Sequence, residues 1–305
     1  MEFVGGDYVM LAEKAKAAMT PYLDTSLGVQ YPPSLIVRNA TWFPPIQAQV
    51  PTISLLQDII EGPQREMQEA VIKSSAAVVF NSEFTRSKYP TAIAKTGDVP
   101  RTIDAPPDVR YRVIPLPVDF SLFEPQNPMG CQQALSLPDG CVCWIGASQG
   151  AAGQVKGFDI FLRIVRTNPD IPFVAVFKDA LPEYSPPNLK MYCRLTHAEL
   201  VKVIGACRVG LCTSRTESQH LAGVEMGACG LPMVAPPVGV YWQHRLMPEV
   251  NPVDGGVPEY SIALRATLKW PGDPQTIRAY WQKEFDKPVI KAAWTKLIEE
   301  VECAR

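Results

Sequence analysis

Glu217 and Glu225 enclose seven residues where a short apolar run, 209–212, gives way to a helix expected over 221–229. Free backbone N–H groups at such a helix start suit a diphosphate, and carboxylates beside them accept hydrogen bonds from sugar hydroxyls. The same spacing fits a solvated loop acid followed by a favourable charge near a helix start. A second segment follows the apolar run 141–145, where Gly146, Ala147 and Ser148 open a stretch of small residues that leads to Lys156. Backbone amides of such a loop can face a ligand, although its composition is also that of a flexible insertion.

These residues need strands and helices to hold them. Apolar runs at 34–38, 52–56, 76–80 and 112–115 read as strands, and 62–73 and 83–89 as helices, the latter capped by Ser82. A further helix is expected over 8–22. After a proline-rich stretch, 115–128, a second series begins. It has strands at 141–145, 173–177, 209–212 and 232–235, helices at 157–166, 197–205 and 221–229, and a helical tail at 274–300. Alternation of this kind predicts two α/β units, each a mostly parallel, doubly wound sheet. In such sheets ligands bind beyond the carboxyl ends of the strands, which singles out the loops after Ile145 and Cys212. The expected division is 1–117, 118–273 and a tail, 274–305, that packs back on the first unit.

The chain has 305 residues, 29 Lys plus Arg against 31 Asp plus Glu, and 47% hydrophobic residues. A net charge of −2 argues against a general polyanion binder, so no nucleic-acid partner is expected. No run reaches the roughly 20 apolar residues of a spanning helix, and the start lacks the pattern of a signal peptide, which predicts a cytoplasmic protein. The 8 cysteines are expected as reduced thiols, with Cys141 and Cys143 on one face of a strand.

The run SRTES at 214–218, followed by GVEMGACGLPMVA at 223–235 and PVG at 237–239, resembles the signature of retaining glycosyltransferases of family 4, which have the GT-B fold. Further matches stand in the family's order: 75–85, 113–119 with Phe123 and Pro125, 155–159, and 293–297. The resemblance spans about 74–298. It implies transfer of a hexose-type sugar from a UDP or GDP sugar, bound by the second domain, to a hydroxyl acceptor on the first. The acceptor is a glycan, a lipid-linked group or a small molecule, and membrane association stays open. Glu217 and Lys156 are the catalytic residues it implies, Lys156 on the donor diphosphate and Glu217 on hydroxyls of the transferred sugar with the amides of Ser218 and Gln219. Gly146, Ala147, Ser148, His220 and Leu221 would line the donor, and Glu225 would hold the ribose. The leaving phosphate helps deprotonate the acceptor, so no protein nucleophile, cofactor or metal is implied, and no Asp-x-Asp is present.

The chain departs from the family in several places. Relatives usually carry Gly-Arg after the second domain's first strand, with the lysine five residues beyond that arginine; here Gly146-Ala147 stands there and Lys156 lies nine beyond Ala147. Ser148, Gln149 and the residues through Gly153 are the expected substitutes. The first domain is short, at about 115 residues, and lacks the family's histidine, since His197, His220 and His244 all lie later. Gly5, Gly6, Asn39 and Asp58, the last preceded by Gln57 in place of histidine, are the acceptor-side candidates, and Trp42 and Phe43 a possible apolar wall. The rival readings are a non-catalytic GT-B scaffold or partner subunit, and another GT-B enzyme such as an epimerase or phosphorylase.

Overall fold

A computed structural model describes residues 35–40, 44–46, 50–59, 63–89, 110–183, 185–244 and 250–304. The expected 8–22 helix, Gly5, Gly6, Trp42 and Phe43 lie outside the described residues, as does the side chain of His244.

The first unit runs β1 (Ile36–Asn39), β2 (Thr52–Leu56), α1 (Pro63–Ser74), β3 (Ala77–Phe80), α2 (Glu83–Ser87) and β4 (Arg110–Val113). Its strands form a parallel sheet in the order β1-β2-β3-β4. The second unit runs α3 (Pro128–Leu135), β5 (Val142–Gly146), α4 (Gly150–Val155), α5 (Phe158–Thr167), β6 (Phe173–Phe177), β7 (Leu189–Cys193), α6 (His197–Gly205), β8 (Val209–Leu211), α7 (Leu221–Ala228), β9 (Met233–Ala235), α8 (Tyr241–His244), β10 (Val250–Pro252) and α9 (Val257–Lys269). The chain closes with α10 (Pro274–Phe285) and α11 (Lys287–Glu302).

The second sheet, also parallel throughout, has the order β10-β9-β8-β5-β6-β7. This is the doubly wound arrangement, and its direction of winding reverses between β5 and β8, so their two loops diverge and leave a crevice. Its inner strands β5, β6, β8 and β9 are covered on both faces, which is why they read as continuous apolar runs. In β5, Val142 and Trp144 pack with Phe161, Phe173 and Leu264, while Cys143 packs on the opposite face with Val201, Met226 and Trp281. Cys141 shares that second face, and all eight cysteines are free.

The helical tail is broken into two helices. Pro288 cannot continue the helix of α10, because it has no N–H for the Glu284 carbonyl and its ring would crowd that oxygen; the chain turns extended at Asp286 (φ −69°, ψ 143°), and α10 and α11 are separate. The break sends two tryptophans to different cores. Trp281 is buried in the second unit, whereas Trp294, with Ile290, Leu297 and Val301, covers Ile53, Leu55, Ala77 and Val79 of the first sheet. Each such side chain contributes roughly 1.5–3 kcal/mol when buried. The opposite face of that sheet is covered by Val71 and Ile72 of α1.

Six elements were not expected from the pattern: α3, α4, β7, α8, β10 and α9. The small-residue stretch after β5, expected as a loop, forms α4, and this helix places Lys156 at its C-cap.

Candidate active site

Lys156 and Glu217 follow the two strands that flank the winding reversal, and they meet there, Nζ to Oε1 at 2.6 Å. Local geometry fixes Lys156 from both sides. Gly157 adopts φ +64°, and any Cβ there would collide with the carbonyl oxygen of Thr213. Thr213 Oγ1 lies 3.0 Å from the Lys156 carbonyl oxygen and 2.9 Å from Trp144 Nε1, which donates to it. Arg215 ties the same loops together: its amide donates to the Val155 carbonyl (2.8 Å), and its guanidinium grips both Asp159 oxygens (2.8 and 2.7 Å).

Glu217 is only 8% exposed and Lys156 30%, so the pair is open on the lysine side. Ser214 Oγ also donates to Glu217 Oε1 at 2.7 Å. Burial works against ionisation of Glu217, but it is outweighed by the charges of His220 and Lys156 and by hydrogen bonds from Lys156 and Ser214, which hold the carboxyl below its ordinary range. Burial likewise pushes His220 down to about 4, against the pull of Glu217, so its ring is neutral near pH 7 and Lys156 is then the cation that matters to Glu217.

Glu225 lies in α7, and burial alone pushes its carboxyl up to about 7. Among the described residues no donor bonds to it. The backbone N–H groups of Ser218 and Gln219 likewise donate to no group among the described residues, and Leu221 opens α7 beside them.

Other expected site residues have different engagements. Ala147 is buried behind the loop, and Gly146 ends β5 against the Trp144 ring, where a Cβ would not fit. The amides of Ser148 and Gln149, expected to stand in for the missing arginine, donate to the Asp179 carboxylate (3.0 Å each to Oδ2). The amide of Gly153 is spent on the Gln149 carbonyl inside α4. The Gln219 side chain turns away to the linker, accepting from Leu116 N (2.7 Å) and donating to Leu116 O (2.9 Å). The Ser218 carbonyl accepts from Thr85 Oγ1 (3.1 Å) and from Ser82 Oγ at the start of α2, which brings the first unit against this loop. Asn39 ends β1, where its side-chain amide donates to Gln57 Oε1 (3.3 Å), and Asp58 lies just beyond β2, its carbonyl accepting from Tyr89. Both stand at the carboxyl edge of the first sheet. His197 opens α6, its ring against Phe123.

Asp179 and Tyr241 were not singled out in the sequence. Asp179 follows β6 and has no motif of its own; Tyr241 lies just after the PVG run, and only the fold shows that its Oη sits 2.7 Å from His220 Nδ1.

Solved structures share this architecture. A sucrose-phosphate synthase from Thermosynechococcus elongatus superposes with a TM-score of 0.73 at 17% identity, over 96% of this chain and 80% of its own. Anabaena HepE in complex with UDP and glucose gives 0.68 at 17% identity, over 98% and 84%. The fold is GT-B. A glycosyltransferase from Rickettsia africae gives 0.68 at only 10% identity, over 99% and 84% of the two chains. No protein-family model matches the sequence, and no curated protein matches it. Among the described residues no helix is long and apolar enough to cross a membrane, and no group of His, Cys, Asp and Glu has the arrangement of a metal site.

Proposed function

We propose that this chain is a retaining glycosyltransferase of the family 4 type. It moves a hexose-type sugar from a UDP or GDP sugar to a hydroxyl acceptor without a metal ion. The observation that carries this reading is the meeting of Lys156 and Glu217 at the winding reversal, 2.6 Å apart, with the amides of Ser218 and Gln219 next in the chain to Glu217 and the Glu225 carboxyl following in α7, all without a partner among the described residues. The neighbouring HepE was solved with UDP and glucose, which supports a nucleotide-sugar donor here.

In this reading Lys156 turns from Glu217 to the donor diphosphate, and the start of α7 adds its N–H groups, together offsetting charge that builds on the leaving group. Glu217, already ionised and held by Ser214, accepts from hydroxyls of the sugar. Glu225 accepts from the ribose hydroxyls. The bond from the anomeric carbon to the diphosphate breaks, the bond to the acceptor oxygen forms on the same face, and the acceptor proton passes to the leaving phosphate. Protein groups contribute by positioning and electrostatics. The acceptor approaches from the first unit, where Asn39 and Asp58 stand at the sheet edge. The proposed division remains 1–117 for the acceptor side, 118–273 for the donor side and 274–305 for the returning tail.

Calorimetry and slow-hydrolysis assays with UDP, UDP-glucose and GDP sugars in the presence of chelator test this. Binding of one nucleotide sugar is expected, with hydrolysis releasing the sugar with its anomeric configuration retained. Lys156→Ala is expected to weaken binding about tenfold or more and Glu217→Ala to remove hydrolysis. Absence of any nucleotide binding overturns the reading. The Asp179 carboxylate on the amides of Ser148 and Gln149 favours one rival, a scaffold that binds nucleotide sugar without turning it over. Donor binding with no hydrolysis and no transfer across a panel of acceptors would establish it.

A further inference from the structure

His220 has φ +72°, a left-handed backbone that a side chain with a Cβ rarely adopts. The residue is 5% exposed and sits at the N-cap of α7 without capping it. Strain of this kind persists only where surrounding structure imposes it, and here the surroundings are specific. Tyr241, fully buried, places its Oη 2.7 Å from His220 Nδ1. Gly223 makes the room, since a Cβ at that position would collide with both Tyr241 Oη and His220 Nδ1. Tyr241 is braced in turn by the edge-on ring of Trp281, 6.4 Å away.

Tyr241 Oη has this one partner among the described residues. If the phenol accepted from Nδ1–H, its own proton would lie buried without an acceptor, which costs about 1–3 kcal/mol. The phenol therefore donates to Nδ1, and the ring proton resides on Nε2. The charged and titratable groups facing the ring are Glu217, Lys156 and Tyr241 itself. Burial prevails among them, and the imidazole stays neutral down to about pH 4.

We propose that Tyr241 is a positioning residue that locks His220 as its Nε2–H tautomer, making the ring a fixed, neutral hydrogen-bond donor to an oxygen of the nucleotide-sugar donor. The inference rests on the donor site proposed above and adds to it a donor group that neither carries charge nor exchanges protons with the leaving phosphate. It also accounts for a strained histidine at a place where glycine would relax the backbone.

The chain has 3 histidines, so long-range ¹H–¹⁵N correlation spectra of histidine-labelled protein resolve each ring. His220→Gln assigns its signals. In the ligand-free protein His220 is expected in the Nε2–H form across neutral pH, and UDP or UDP-glucose is expected to shift Nε2 rather than Nδ1. Tyr241→Phe is expected to lose the single tautomer and to weaken donor binding about tenfold, the equivalent of 1.4 kcal/mol. The double variant His220→Gly/Tyr241→Phe removes strain and both polar partners; it is expected to melt no lower than wild type, yet to bind donor as weakly as Tyr241→Phe. An Nδ1–H ring in the free wild type overturns the lock. Full donor affinity in the double variant, or binding that leaves Nε2 unshifted, overturns the ligand role. The tautomer is read without ligand, so a protein that shows the lock but binds no nucleotide sugar fails the donor-site reading and leaves the Tyr241–His220 pair as structure alone.

Discussion

Burial pushes the Glu225 carboxyl up to about 7 from its ordinary 4.5, with no side chain among the described residues offsetting the effect. A raised carboxyl favours the folded protein below its unfolded value, and that contribution is lost as pH rises through about 7. Glu225→Gln is expected to stabilise the ligand-free protein by about 1–2 kcal/mol above neutrality and to leave it unchanged in acid, as urea titrations on both sides of neutrality would read. Glu217 has the opposite sign. Its carboxyl is held low, so its contribution is present above the ordinary carboxylate range and lost as pH falls below it. In Lys156→Ala this acid-side loss is expected to shrink, and stability at neutral pH to fall by about 1–2 kcal/mol. That is less than for a fully buried pair, because the lysine is 30% exposed.

The site is held by loops between elements, and their geometry is unforgiving at few positions. Gly157 links α4 to α5 at φ +64° and presses on the Thr213 carbonyl, so Gly157→Ala has neither the backbone angle nor the space it needs. It is expected to lower stability by about 2 kcal/mol or more and to lower donor affinity with it, since Lys156 is the preceding residue. Differential scanning calorimetry together with donor titration would check both effects. Ser82 caps α2 by accepting from Thr85 N, 3.0 Å away, and also donates to the loop that carries Glu217, so one serine both starts a helix and docks it.

Across the molecule, two connections between the units stand beside those that Ser82 and Thr85 make with the Ser218 carbonyl. One is the Gln219 side chain on the backbone of Leu116. Gln219→Ala is expected to leave UDP affinity within about twofold while lowering transfer to acceptor more than donor hydrolysis, because the lost contacts align the units rather than hold the donor. Comparison of the two rates on one preparation tests this. The other connection is α11. Trp294→Ala would open a cavity against Ile53, Leu55, Ala77 and Val79, with an expected cost of about 3–5 kcal/mol, and would uncover the first sheet before the second. Hydrogen exchange should show β2 and β3 losing protection while β5 and β8 keep theirs.

Local pattern alone placed eight of the strands, because a strand covered on both faces must be an unbroken apolar run. The pattern also singled out Glu217 in the loop after one such run and Glu225 in the helix beyond it, whereas Lys156 was brought out by the resemblance to family 4 glycosyltransferases. The pattern missed β7 and β10, whose residues LKMYC and VNP carry no such run. Nothing in the neighbourhood of Ser148 and Gln149 tells that Asp179, some thirty positions on, takes their amides. Nor does the sequence show that Gln219 faces the linker while Tyr241 reaches His220 through the gap left by Gly223. Periodicity is a property of neighbours along the chain. The partners of a buried polar group are set by which strand ends the parallel sheets bring side by side, and that was decided only when β5 took β6 on one side and β8 on the other.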